Sequence, residues 1–144
     1  MFVKRSKHGK AVVALNKAVK KSKDTGTSIA IFPEGTRHLV ASDGGDVMLP
    51  FKKGAFHMAM DAGIPILPVV VSEYDFIDTK HKKFGGDQEV YITILKPIET
   101  SGITKTDIDQ LVDDTRSKMI DTFKEAKEQK HLRCLKKALF KKTE

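Results

Sequence analysis

The 144-residue sequence predicts an α/β domain. Helix-like and strand-like segments follow one another in the order helix, strand, helix, strand, strand, helix. A hydrophobic content of 40% suits one modest core, and neither an internal repeat nor a linker interrupts the pattern. We therefore expect one folded domain over residues 1–129 and a basic carboxyl-terminal tail over residues 130–144.

The first helix and the first strand are predicted from their periodicity. Apolar and small side chains recur at helical spacing between lysines over about Gly9–Lys23. The turn-forming run Asp24–Gly26 ends this helix. Ser28–Phe32 then has the composition of a strand, which Pro33 terminates because proline cannot donate to a ladder.

The middle of the chain predicts a short helix followed by a buried strand. Gly54–Ala62 has helical spacing, and Gly63 is placed to cap its carboxyl end. Ile66–Val71 carries no polar alternation, which is typical of a parallel strand covered on both faces.

The last elements are an alternating strand and a long amphipathic helix. Val90–Leu95 alternates as a half-buried strand does and stops before Pro97. Ser101–Thr106 supplies N-capping residues for the final helix. Its predicted apolar stripe consists of Ile108, Leu111, Val112, Thr115, Met119, Ile120 and Phe123.

The charge of +7 is concentrated at the two ends of the chain. Residues 1–23 hold eight Lys/Arg and no acid, residues 124–144 hold eight Lys/Arg and three Glu, and the stretch between them is net negative. Basic ends suit an anionic membrane surface, although solvated lysine faces would give the same pattern. No nucleic-acid-binding pattern accompanies the charge, so we expect no nucleic-acid partner.

Several classes of protein are disfavoured by composition. No stretch approaches the roughly 20 apolar residues that span a bilayer, and no secretory signal is visible. Cys134 is the single cysteine, so an internal disulfide and a thiolate metal site are excluded, and we expect no metal. A surface thiol and a lipidated cysteine both remain open for it.

The run Phe32–Arg37 places a carboxylate and a guanidinium in one tight turn. Gly35 allows the backbone to approach a ligand closely, and a guanidinium can make two parallel bonds to a phosphate. An ordinary surface pair of Glu34 and Arg37 is the alternative interpretation. The turn follows a strand-like run, and open α/β sheets usually bind ligands at the carboxyl ends of their strands.

Three ordered blocks closely resemble the 1-acylglycerol-3-phosphate acyltransferases, the lysophosphatidic acid acyltransferases of the glycerolipid acyltransferase family. The blocks are Phe32–Arg37, Leu49–His57 and Ile64–Val69. The resemblance extends from about Phe2 to about Gln129. It implies a central mixed sheet flanked by helices.

The family's catalytic base is the His of a His-x-x-x-x-Asp motif that lies upstream of the Phe-Pro-Glu-Gly-Thr-Arg block. No such motif precedes Phe32 here. His38 and Asp43 have the spacing but follow the block, and we interpret that match as accidental. The resemblance therefore implies an amino-terminally truncated acyltransferase that has no catalytic dyad and is inactive alone.

The resemblance also implies an acceptor-binding site formed by Glu34, Gly35, Thr36 and Arg37, with Arg37 on the phosphate. Glu34 would order Arg37 or accept a bond from a glycerol hydroxyl. The pair Lys52–Lys53 precedes a helix whose amino-terminal end favours anions, although a solvated loop would explain the pair equally simply.

Three further residues are assigned through the resemblance. Arg5 corresponds to a second phosphate ligand, although Lys4 departs from the family's usual Asp. We interpret His57 as a structural histidine rather than a substitute base. Pro68 is expected to shape the wall of an acyl channel.

The implied reaction transfers an acyl group from acyl-CoA to the sn-2 hydroxyl of 1-acylglycerol 3-phosphate, giving phosphatidic acid. Lysophosphatidic acid and acyl-CoA are the expected partners, no cofactor is needed, and the family implies an endoplasmic reticulum membrane. A non-catalytic lysophospholipid-binding or regulatory module is the alternative. An unfolded partial product is a third possibility.

Overall fold

The computed structural model describes residues 8–36, 47–73, 77–78, 82–85 and 89–140. Its helices are α1 (His8–Thr25), α2 (Gly54–Ala62) and α3 (Ile108–Phe140), and its strands are β1 (Val69–Val71), β2 (Ile77–Asp78), β3 (Lys83–Phe84) and β4 (Ile92–Ile94). Together they give the predicted α/β class. They divide into two compact units: α1, α2 and the start of α3 in the first, and the four strands with α3 from Asp114 onward in the second.

Helix α1 confirms the first predicted helix and ends at the predicted turn. Gly26 has a φ of +65°, the left-handed conformation that commonly closes a helix. The Thr27 N–H donates to the Ser22 carbonyl at 3.2 Å, and the Thr25 hydroxyl donates to the Lys21 carbonyl at 2.7 Å. The last turn of α1 is therefore closed by its own backbone and a side-chain cap.

The prediction of a strand over Ser28–Phe32 is wrong. This segment belongs to none of the strands in the described ranges, and its apolar side chains are open to solvent. Phe32 is 87% exposed, and Ile29 and Ile31 are also exposed. A strand needs a partner to accept and donate its ladder hydrogen bonds, and no described strand pairs with this segment.

Helix α2 confirms the second predicted helix and its cap. Gly63 is left-handed with a φ of 59°, and its N–H donates to the Met60 carbonyl at 3.0 Å. Phe56 is 3% exposed and lies 6.4 Å, between ring centroids, from the buried ring of Phe51. The Thr100 hydroxyl donates to the Ile64 carbonyl at 3.1 Å, tying the segment after α2 to the one before α3.

Strand β1 corrects the expectation that Ile66–Val71 is covered on both faces in a parallel sheet. It pairs antiparallel with β4, with Val70 opposite Thr93, and it alternates between a buried Val70 and exposed neighbours. In an antiparallel sheet one face commonly packs against the core while the other face is exposed to solvent. The open face consists of Val69, Val71, Ile92 and Ile94. The predicted strand Val90–Leu95 is confirmed over its central residues.

Helix α3 begins after a turn that Asp107 fastens. The backbone N–H and the hydroxyl of Thr104 donate to the Asp107 carboxylate at 3.2 and 2.6 Å. Hydrogen bonds from Thr104, the side chain first, hold the pKa of the Asp107 carboxyl below its ordinary value. Four members of the predicted stripe are buried: Ile108, Val112, Thr115 and Phe123.

The later part of α3 is held to the strand region of the second unit by charged contacts. The Lys127 ammonium lies 3.2 Å from the Glu73 carboxylate, and the Lys130 ammonium donates to the Glu73 carbonyl at 3.2 Å. The Arg133 guanidinium lies 5.4 Å from the centre of the Tyr91 ring, within cation–π range. The helix continues without a break past residue 129, where the predicted boundary of the tail stays a prediction. Among the described helices, none has the length and apolarity that a bilayer span requires.

Candidate substrate-binding site

The site begins at a tight turn that Gly35 makes possible. The Gly35 N–H donates to the Phe32 carbonyl at 3.1 Å, and Gly35 has a φ of +70°. Residues with a side chain rarely adopt this conformation, so the backbone of the turn favours glycine at this position of the motif. The turn presents Thr36 exposed to solvent.

Two hydrogen bonds join this turn to the second sequence block. The Lys52 N–H donates to the Pro33 carbonyl at 2.7 Å, and the Leu49 N–H donates to Oε2 of Glu34 at 2.8 Å. Leu49 and Lys52 of the second block therefore lie next to Pro33 and Glu34 of the first. The first two blocks of the resemblance lie side by side in the first compact unit.

The side chain of Lys52 lies against Gly35. A Cβ atom on Gly35 would be 3.4 Å from Cγ of Lys52 and 3.8 Å from its Cε. Both residues are exposed, so the lysine side chain runs beside the glycine at the surface. A turn with an exposed lysine beside it is a suitable place for an anionic head group.

Lys53 has a different partner from Lys52. Its ammonium forms an ion pair with the Asp109 carboxylate in the first turn of α3, and the two side chains are 54% and 65% exposed. An exposed pair of this kind contributes about 0–1 kcal/mol to stability. The pairing nevertheless gives Lys53 an acidic partner. Lys52 and Lys53 are adjacent in sequence, but only Lys52 lies beside the turn.

Glu34 also has a partner that the sequence did not indicate. We expected it to order Arg37 or to accept from a glycerol hydroxyl, and the structure gives its carboxylate the backbone amide of Leu49. Asp109 and the Leu49 amide are the members of this neighbourhood that sequence reasoning missed. Neither carries a local pattern that could have found it.

None of the other residues assigned from the sequence is among the described residues of the turn. Arg5, Arg37, His38 and Asp43 lie outside the described residues, and their roles stay predictions. His57 is half-buried on α2, and Pro68 is buried in the second unit, where its carbonyl accepts from the Leu95 N–H at 3.0 Å. The structural role of His57 and the acyl-channel role of Pro68 also stay predictions.

Comparisons with known proteins agree with the three sequence blocks. The family model described as Acyltransferase matches residues 1–72, which is half of the chain. The chain is 41% identical over 125 residues to 1-acyl-sn-glycerol-3-phosphate acyltransferase of Saccharomyces cerevisiae, covering 86% of this chain and 40% of that protein. It is 36% identical over 126 residues to 1-acyl-sn-glycerol-3-phosphate acyltransferase alpha of Homo sapiens, covering 87% of this chain and 42% of that protein.

A solved structure supports the same relationship at the level of the fold. The crystal structure of the 1-acyl-sn-glycerophosphate (LPA) acyltransferase PlsC from Thermotoga maritima superimposes with a TM-score of 0.59 at 29% identity. The match covers 80% of this chain and 46% of that chain. The chain thus spans about two fifths of the length of these curated relatives, and it belongs to the acyltransferase family, among relatives that are 1-acyl-sn-glycerol-3-phosphate acyltransferases.

Proposed function

We propose that the chain binds the phosphate of 1-acylglycerol 3-phosphate, as the acceptor-binding part of an acyltransferase of phospholipid synthesis. Gly35, Thr36, Arg37 and Lys52 are the binding elements, with Arg37 as the principal phosphate ligand. The contact of the Lys52 stem with Gly35 is the observation that carries the proposal, because it puts a second cation at the motif. The names of the relatives support this acceptor.

The proposed reaction uses acyl-CoA as donor and gives phosphatidic acid. An alcohol is a weak nucleophile, so a positioned base must take the proton of the sn-2 hydroxyl as it attacks the thioester carbonyl. Within the 144 residues, only His38 and Asp43 have the His-x-x-x-x-Asp spacing, and they follow the motif. We therefore propose that these residues bind the acceptor and that transfer needs a His/Asp dyad from elsewhere.

Two measurements on the purified chain test this proposal. Calorimetry should detect binding of a short-chain 1-acylglycerol 3-phosphate, and Arg37→Ala should weaken it by about tenfold or more, since hydrogen bonds to charged groups contribute about 1.5–3 kcal/mol. Incubation with radiolabelled acyl-CoA and the same acceptor should give no phosphatidic acid above background. Turnover that His38→Ala abolishes would contradict the missing-dyad proposal, and binding unaffected by Arg37→Ala would contradict the phosphate site.

A non-catalytic lysophospholipid-binding module is the second candidate. The observation in its favour is that the described residues of the site, Glu34–Thr36, Leu49 and Lys52, offer groups that bind an anion and include no histidine. Both candidates predict acceptor binding, so turnover separates them. Addition of a separately purified polypeptide that carries the His-x-x-x-x-Asp motif of a relative should produce phosphatidic acid if the chain is part of an enzyme, and none if it is a module.

We further propose that the chain associates with an anionic membrane surface. The family resemblance suggests the membrane of the endoplasmic reticulum. The basic end of α3 supports this proposal, although the contacts of Lys127 with Glu73 and of Arg133 with Glu89 offset part of its charge. Flotation with phosphatidylserine vesicles should recover the chain at low ionic strength and release it at high ionic strength. Equal recovery with phosphatidylcholine vesicles would contradict the electrostatic mechanism.

A further inference from the structure

The carboxylate of Glu34 accepts a hydrogen bond from the backbone of the segment that precedes α2. Its Oε2 accepts from the Leu49 N–H at 2.8 Å, and the adjacent Pro33 carbonyl accepts from the Lys52 N–H at 2.7 Å. These two bonds hold both ends of the four-residue segment Leu49–Lys52 against the turn. Lys52 lies at the end of that segment, with its stem on Gly35.

We propose that Glu34 is a positioning residue that holds Lys52 at the anion site through the Leu49 amide. This inference rests on the proposed function, because it assigns to the same site the residue that fixes its second cation. Glu34 acts as the hydrogen-bond acceptor of the Leu49 amide; it is not a ligand of the lipid, and its charge does not act on the lipid.

The chemistry of the site supports this division of roles. A free carboxylate next to a bound phosphate would repel it, whereas a carboxylate that accepts from a backbone N–H makes a charge-assisted hydrogen bond and is directed toward protein. Since only three peptide units separate Leu49 from Lys52, release of the Leu49 amide would let the lysine leave Gly35. The Pro33–Lys52 bond and the buried ring of Phe51 hold the later part of the segment, and the Glu34–Leu49 bond holds its start.

The experiment compares two variants of Glu34, one that removes the charge of the side chain and one that shortens it. Glu34→Gln keeps an acceptor oxygen at the same distance but has no charge. Glu34→Asp keeps the charge but is one methylene shorter. The two readouts are the hydrogen-exchange rate of the Leu49 amide by NMR and the Kd for a short-chain 1-acylglycerol 3-phosphate by calorimetry, with Glu34→Ala as a third variant and the unmodified chain as reference.

We expect Glu34→Gln to stay within about threefold of the reference in both readouts, because its amide oxygen still accepts. In Glu34→Asp and Glu34→Ala, hydrogen exchange at the Leu49 amide should be at least about tenfold faster. These two variants should also bind the 1-acylglycerol 3-phosphate about tenfold more weakly, as the loss of a hydrogen bond to a charged acceptor predicts. If Glu34→Ala does not fold, the comparison of Gln with Asp still decides.

Two results would overturn the inference, and a third would overturn the proposed function. Binding lost in Glu34→Gln with the Leu49 amide still protected would show that the charge acts on the ligand. Normal binding in Glu34→Asp with a fast-exchanging amide would show that the Leu49 bond does not position Lys52, while the phosphate site stands. Absence of binding by the unmodified chain would overturn the proposed function itself, and the positioning role with it.

Discussion

Lys52 of the second family block lies beside Gly35 of the first: a Cβ on the glycine would lie 3.4 Å from Cγ of the lysine. The motif glycine is required for its φ of +70°, whereas a Cβ at this position would only make an ordinary van der Waals contact with the lysine stem. The two blocks are therefore neighbours in space as well as in the order of the sequence.

Gly35→Ala should destabilise the chain by about 1–2 kcal/mol, because an L-residue in the left-handed region has a strained backbone. The contact with Lys52 adds less, since a flexible side chain can move. Thermal or urea unfolding followed by circular dichroism measures the effect.

Gly54→Ala is the matched control for this substitution. Gly54 lies at the start of α2, has no atom within 4 Å of a built Cβ and is not among the glycines of positive φ. The alanine should be neutral or stabilising by roughly 0.5 kcal/mol. Equal destabilisation in both variants would contradict the backbone argument.

Lys52→Met should weaken binding of 1-acylglycerol 3-phosphate, whereas Lys53→Met should change it little. Methionine keeps most of the apolar stem and removes the charge, so the comparison isolates the ammonium. Lys52 is next to the turn, and Lys53 is paired with Asp109. We expect about a tenfold loss for Lys52→Met, the size of one charge-assisted hydrogen bond.

Calorimetry of the two lysine variants checks this prediction, with melting temperatures recorded to exclude unfolding. A larger loss from Lys53→Met than from Lys52→Met would show that the helix α2 terminus, and not the turn, receives the phosphate.

Val70→Ala should lower the free energy of unfolding by about 2 kcal/mol, whereas Val69→Ala should lower it by less than about 0.5 kcal/mol. The two valines are adjacent in β1 and differ in exposure, at 2% and 42%. Removing methyl groups from the buried side leaves a cavity, and removing them from the open side does not. Urea denaturation of the two variants measures both values, and a reversed order would contradict the orientation of the strand.

Acid should reveal the contribution of Asp107. Its folded-state pKa is lowered, so the folded chain binds fewer protons than the unfolded chain, and the contribution is present above the unfolded pKa of about 3.9 and lost as the pH falls through the folded value. Thr104→Val removes the largest cause, the side-chain hydrogen bond. Its melting temperature should therefore be below that of the unmodified chain at pH 6 and approach it below about pH 4.

Thr106→Val is the control, because the Thr106 hydrogen bond is the smallest of the causes that lower the pKa of Asp107. A Tm difference for Thr104→Val that stays constant from pH 6 to pH 2 would show that the threonine acts without the carboxylate. NMR titration of the Asp107 carboxyl gives the same answer directly, since its pKa should rise in Thr104→Val.

The sequence by itself determined the three helices, the ends of α1 and α2, and the family. Hydrogen bonds of a helix join residues four apart, so the spacing that predicts α1 and α2 contains the information that forms them, and the left-handed Gly63 was readable as a cap. The ordered blocks around Glu34 and Lys52 identified the acyltransferase family before any contact was known.

Only the tertiary structure decided which partners these residues have. Glu34 with Leu49, Lys53 with Asp109 and the one-sided burial of Val70 depend on residues that are distant along the chain. A strand likewise exists only where a second segment completes its ladder, which is why Ser28–Phe32 has the composition of a strand and is not one in this structure. Local patterns cannot specify such pairings, because the interaction energy resides in the approach of two segments and not in either of them.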